Sequence, residues 1–170
     1  RVPAGPPHAR AAQITTNQGD EWNVISRTHW VGYDFGARKE VTARVGRMNL
    51  PFGIRIPQHT MWVREATRTD RESDQQHGLA LAYNGALFRA ELMAIAGNFQ
   101  VNPDKYRERG YSVYVETLVT EPFATGVSSL LTRADEDIQT LDAETTMRGA
   151  HGVFTRITVS EPLVLFVGAN

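Results

Sequence analysis

Residues 79–96 read LALAYNGALFRAELMAIA, and this stretch decides the fold. Leu79, Leu81 and Tyr83 alternate with Ala80 and Ala82. Phe88, Ala90, Leu92, Ala94 and Ala96 alternate with Arg89, Glu91, Met93 and Ile95. A period of two belongs to strands, whose successive side chains point to opposite faces. The second run is rich in helix formers, yet its uncharged residues keep to every other position. Asn84-Gly85 between the runs is the strongest short hairpin signal. Only the even-numbered face of the second run is free of charge. That face is expected against apolar surroundings, with Arg89 and Glu91 facing water. On this reading Leu92→Arg damages folding and Glu91→Arg is tolerated.

The same period recurs on both sides. It is present over residues 22–31, 41–46, 111–119 and 151–159, more weakly from near Thr125 to Leu131, and it begins again at 163–167. Residues 1–20 are irregular, broken by Pro3, Gly5, Pro6 and Pro7, whereas 21–170 carry the strands. After the 87–96 run, the acidic stretch 134–143 is the next best candidate for a helix, in a loop. Four connections are tight: 36–40, 84–86, 121–123 and 160–162. Three are long: 51–76, 98–110 and 133–148. Short and long alternate without exception. In an antiparallel up-and-down sheet this puts every tight turn on one rim and every long loop on the other, the asymmetry of transmembrane β-barrels. The fold class expected is therefore all-β, an antiparallel up-and-down transmembrane barrel of which about eight strands are present. Strand one enters a tight turn and strand eight leaves one, so both chain ends are expected at the long-loop rim, as in an internal segment of a larger barrel.

Composition narrows the function classes. The 170 residues are 41% hydrophobic and 22% charged, with a net charge of −1. That suits a packed domain and gives no electrostatic case for a nucleic-acid partner. There is no cysteine, hence no disulfide framework and no thiolate metal site. No apolar run approaches the roughly 18–20 residues of a membrane helix, a test that alternating strands escape. His8, His29, His59, His77 and His151 show no ligand spacing, so no metal and no cofactor is expected. Ser26 and His29, read as one strand, fall on opposite faces. Ser112, Ser128 and Ser129 lack the glycine elbow of a nucleophile. The acidic residues Asp135, Glu136, Asp137, Asp142 and Glu144 lack calcium-loop spacing. The chain is not expected to be an enzyme.

Charges inside the strands are the candidate functional residues: Arg27, Arg44, Arg89, Glu91, Glu116 and Arg156. Each is costly on a lipid face, so all six are expected to line the lumen. Four cations against two anions make that lumen mildly electropositive and favour anions. The plainer alternative is pairing across neighbouring strands. The loop from Arg64 to Asp74 mixes both signs, and its Arg64, Arg68 and Arg71 either fold inward as a constriction, contact lipopolysaccharide phosphates, or lie solvated on the surface. Tyr33, Phe35, Tyr83, Phe88 and Phe123 sit near tight turns, while Trp22, Phe52, Phe99 and Tyr111 sit at the opposite strand ends. Two aromatic belts of this kind are expected at membrane interfaces.

The run Val45-Gly46-Arg47-Met48-Asn49-Leu50-Pro51-Phe52-Gly53, a strand entering a Pro-Phe-Gly turn at the outer rim, resembles porin-like outer-membrane β-barrels of Gram-negative bacteria. The hairpin units 77–98 and 110–133 add to the likeness, which spans roughly residues 20–170. The chain departs from that pattern in lacking a final strand with a terminal aromatic, since it closes on Asn170. The resemblance implies an outer-membrane location and a passive pore for small polar solutes or ions. Its implied partners are outer-membrane lipid and lipopolysaccharide, with other envelope proteins or further copies of the chain as additional ones. Two alternatives stay open: a non-conducting scaffold barrel of a multi-protein envelope machine, and a soluble β-barrel carrier of a small ligand.

Overall fold

The computed structural model describes residues 26, 28–54, 62–69, 74–98, 108–135, 144–160 and 163–169. They form eight strands: β1 (His29–Phe35), β2 (Val41–Met48), β3 (Gln76–Asn84), β4 (Phe88–Gly97), β5 (Arg109–Thr120), β6 (Phe123–Ala134), β7 (Thr146–Ser160) and β8 (Leu163–Ala169). A short helix, α1 (Trp62–Thr67), lies in the connection from β2 to β3. The strands make one sheet in chain order, and every neighbouring pair is antiparallel. The sheet is not closed, for β1 and β8 do not pair with each other. The all-β, up-and-down reading is what the chain adopts.

The strand edges differ from the sequence pattern in instructive ways. The first strand, His29–Phe35, extends past residue 31 to the tight turn, pairing from Phe35↔Val41 to His29↔Arg47, and residues 22–25 and 27 lie outside the described residues. The sixth is a full twelve-residue strand. In the 79–96 hairpin, Asn84 stays in the ladder opposite Arg89, and the connection is three residues closed by Gly85 N–H donating to Phe88 O at 2.9 Å. The hairpin is where Asn84-Gly85 indicated, with a longer turn than that dipeptide favours. Residues 1–20 and most of 134–143 lie outside the described residues, so neither the irregular segment nor the loop helix is addressed.

One face of the sheet is covered and the other is open. Met93 and Leu130 are fully buried, packed with Met48, Leu50, Phe52, Ala80 and Ile95, and Ala150 lies against them. Two of these, Leu50 and Phe52, come from the loop after β2. Pro51 has no N–H to continue a ladder, and the chain leaves the sheet there and crosses the covered face. Ser112 Oγ on β5 donates to Pro51 O at 2.9 Å and fixes the crossing. Gly53 turns it with a φ of 62°, a conformation that a side chain disfavours. Phe52 is thus buried inside rather than part of an aromatic belt.

Strands β3 and β8 would stand about 24 Å apart in a flat sheet. Here Asn84 of β3 and Phe166 of β8 line the same cavity, so the sheet curls around its covered face. The covered side is therefore the inner face. Along β4 it holds Arg89, Glu91, Met93 and Ile95, while Phe88, Leu92 and Ala94 are exposed on the outer face. Outer positions elsewhere include Val31, Leu81 and Val127, which are 76%, 53% and 51% exposed.

This packing makes a stability prediction. Met93→Ala should cost about 2–5 kcal/mol in urea unfolding of the refolded protein, as buried large-to-small changes do. Leu81→Ala should cost less than about 1 kcal/mol, because it fills no interior space. Equal costs would show that the two faces are packed alike.

Candidate functional site

The inner face carries two polar layers. The lower layer, toward the tight turns, opens on a cavity of about 410 Å³. Arg89, Tyr114, Glu116, Phe154, Arg156 and Phe166 line it, with Asn84 and the loop residue Ile54. Arg156 pairs with Glu116 at 3.3 Å, and Tyr114 Oη donates to Glu116 Oε2 at 2.6 Å. Tyr114 stacks on Phe154 with ring centroids 5.3 Å apart and planes 13° apart. Gly126 makes room for this stack: a Cβ there would stand 2.2 Å from Phe154 Cζ. Arg89 is exposed to the cavity and makes no ion pair among the described residues. With Arg156 and Glu116 cancelling, Arg89 leaves the described lining of the cavity with one net positive charge.

Toward β1, Arg44 forms an ion pair with the buried carboxylate of Glu91, and its guanidinium lies 5.5 Å over the Trp30 ring. Arg44, Arg89, Glu91, Glu116 and Arg156 thus all project from the inner face. Four of the five are paired, which is the plainer role cross-strand charges can take. Arg27 lies outside the described residues. The expectation that Glu91→Arg is harmless is corrected. Glu91 is 3% exposed, so an arginine there would bury two cations side by side. Arg89, exposed and without an ion pair among the described residues, is an inner-face position expected to tolerate a charge change.

The upper layer ties the β2–β3 loop to the inner face. Glu108 accepts hydrogen bonds from Arg148, from Thr132 Oγ1 at 2.6 Å and from Gln76 Nε2 at 3.2 Å. Arg148 Nη1 also donates to the carbonyls of Thr67 at 2.9 Å and Arg68 at 3.2 Å. These carbonyls end α1 and have no partner within the helix. Arg68 takes a φ of 52°, and Thr69 N–H donates back to Arg64 O at 2.9 Å, a left-handed helix cap built without glycine. Arg64 is buried and donates to Ile54 O at 2.7 Å, and Arg68 is half-buried. Both belong to a loop folded inward rather than standing on the surface. Arg71 lies outside the described residues.

Glu108 and Arg148 escaped the sequence reading because both fell just outside the strand limits it set. Extending the period of the seventh strand back to Thr146 places Arg148 on the same face as Arg156.

The histidines are brought together differently from the sequence reading. Ser26 precedes β1, so strand alternation does not separate it from His29. Its hydroxyl lies 3.1 Å from His29 Nδ1. His77 Nε2 lies 3.3 Å from His29 Nε2, and Ser129 Oγ 2.9 Å from His151 Nδ1. Among the described residues no carboxylate completes either Ser–His pair, and no cluster of three or more metal-ligating side chains occurs. Compared with known proteins, the chain matches no family model, no curated protein and no solved structure.

The Glu108–Arg148 layer that holds the loop yields a prediction. Glu108→Ala leaves the half-buried Arg148 without its carboxylate and Thr132 and Gln76 without their acceptor, at a cost of about 3 kcal/mol. Trypsin cleavage at Arg64 and Arg68 should accelerate by about a hundredfold or more, as the loop opens that much more often. Glu40→Ala removes the exposed pair with Arg38, worth at most about 1 kcal/mol, and should leave the cleavage rate unchanged.

Proposed function

We propose that this chain forms part of a porin-like β-barrel in the outer membrane of a Gram-negative bacterium, through which small polar solutes or ions diffuse passively. The observation that carries the reading is the distribution of charge between the two faces. Among the described strands, the outer face holds no Asp, Glu or Lys. Its arginines, Arg47, Arg109 and Arg133, all stand at the long-loop end of their strands. Between that rim and the tight turns the outer face is built from Val, Leu, Ile, Ala, Gly, Thr and aromatic residues, with the Ser129–His151 pair bonded to each other. Lipid penalises charge at depth and tolerates it near the interfaces. Twelve-residue strands such as β5 and β6 exceed the roughly 9–11 residues a tilted strand needs to cross.

The aromatic side chains agree with this reading at the tight-turn rim. Tyr33 and Phe35 meet at 4.8 Å and Tyr83 and Phe88 at 5.9 Å between ring centroids, on the outer face. Amphipathic rings anchor at such interfaces. A soluble carrier needs the reverse arrangement, apolar within and polar outside. On the inner side, the loop-held apolar cluster around Met93 and Leu130 narrows the passage at the long-loop end. The Arg89 cavity forms the opposite vestibule. Its net positive charge gives small anions the advantage.

The packed loop also supports a second reading, a barrel whose interior is plugged and whose loops hold envelope partners. Conductance separates the two. The full-length chain refolded into planar bilayers should give discrete current steps, and Arg89→Glu should shift the ion preference several-fold toward cations. Leu92→Arg should lose the heat-resistant folded band on gels, whereas Arg89→Glu should keep it. A folded protein that passes no current would mark the plugged scaffold.

A further inference from the structure

We infer that the Arg89 cavity is a binding site for small monocarboxylates with an apolar, ring-sized body. The site rests on the pore reading above and names the class of solute for it. Glu116 stands directly opposite Arg89 across β4 and β5, where opposite charges ordinarily pair. Its carboxylate turns the other way instead. It takes Arg156 from β7 at 3.3 Å and the Tyr114 hydroxyl at 2.6 Å. On β6, between them, Gly126 is the partner of Glu116 and Ala124 the partner of Arg156, and these small residues leave room for that reach. Arg89 is thus exposed to the cavity with its nearest carboxylate already engaged. On its other side stands Asn84, its direct partner on β3, exposed and lining the same cavity. A guanidinium fork and an amide N–H side by side offer donors to the two oxygens of one carboxylate.

The rest of the lining sets the body and the charge of the anion. Phe154 and Phe166 come from β7 and β8, so the curl of the sheet sets them across the cavity from Arg89 on β4. Phe166 is 40% exposed, and Ile54 of the inward loop lines the same wall half-buried. The stack on Tyr114 holds Phe154 in place. A bare inorganic anion leaves these apolar surfaces in water, whereas a ring covers them. A volume of about 410 Å³ lies toward the lower end of the range for small-molecule sites, which suits a single ring. The described lining carries one net positive charge, so one carboxylate neutralises it. A second carboxylate on the same solute would meet Glu116 at close quarters and be repelled.

The test titrates the refolded full-length chain in detergent micelles into para-fluorobenzoate and follows the fluorine resonance, with para-fluorobenzyl alcohol as the neutral probe of partition into micelles. The wild type should bind the benzoate saturably and about tenfold more tightly than the alcohol. Acetate, which lacks the ring, should compete about tenfold less well than unlabelled benzoate. Arg89→Gln should weaken benzoate binding by about tenfold, as loss of a hydrogen bond to a charged group does. Phe166→Ala should weaken it by about fivefold, as loss of an aromatic pair does, and leave competition by acetate unchanged. The heat-resistant band reports folding for every variant. A folded Arg89→Gln that binds benzoate as tightly as the wild type overturns the site. Acetate competing as well as benzoate overturns the apolar body, and terephthalate competing as well overturns the single charge. A folded protein that binds benzoate but passes no current in bilayers overturns the pore reading and keeps the site. A conducting protein that binds benzoate no better than the alcohol overturns the site alone.

Discussion

An antiparallel strand offers each side chain one of two faces, and this chain reserves one of them for its ion pairs. Arg44–Glu91, Arg156–Glu116 and Arg148–Glu108 all lie on the inner side. Each pair joins residues distant in sequence, so the pairs close only when the ladder register is right. A slip of one residue in β2, β4, β5 or β7 would turn one member of a pair outward and leave its partner uncompensated. The outer face, almost free of charge, offers no compensation for such a slip. Register, facing and electrostatics therefore depend on one another across the sheet.

The loop from β2 to β3 draws on the same constraint. Apolar side chains on an inner face need cover, and Leu50 and Phe52 supply it over Ala80, Met93 and Leu130. The loop can lie there because its polar ends have partners. Ser112 takes the Pro51 carbonyl, and Arg148 takes the carbonyls that end α1. The result is a small packed core at one end of the interior and a water-accessible cavity at the other. In the proposed barrel the first would set the width of the passage and the second its charge.

Much of this was legible in the sequence where alternation was long and uninterrupted. The β3–β4 hairpin, the up-and-down order and the inner facing of Arg44, Arg89, Glu91, Glu116 and Arg156 follow from the period of two together with the turn signals and the cost of charge on an apolar face. Strand ends were less legible, because they are set by pairing partners. His29–Phe35 pairs as far as Phe35 through the turn, and β7 begins at Thr146 because β6 reaches Ala134. The loop was not legible. The α1 cap uses Arg68 where glycine would have signalled it, and Phe52 reads equally well as an interfacial aromatic or a core residue. The partnership of Glu108 and Arg148 spans forty positions, and nothing local announces it. The burial of Glu91 shows the same limit: alternation gives the face of a side chain but not its partner.

The central claim is that the outer face meets lipid and the inner face meets water. The chain has no cysteine, so a single introduced one can be labelled without interference. Spin labels placed in turn at positions 88 to 96 of the full-length chain in bilayers measure both environments at once. Oxygen concentrates in hydrocarbon, and a nickel chelate stays in water. Oxygen accessibility should peak at Phe88, Ala90, Leu92, Ala94 and Ala96. Nickel accessibility should peak at Arg89 and stay low throughout that even-numbered set. Labels at Leu92 and Ala94 that the nickel chelate reaches as readily as Arg89 would contradict the claim.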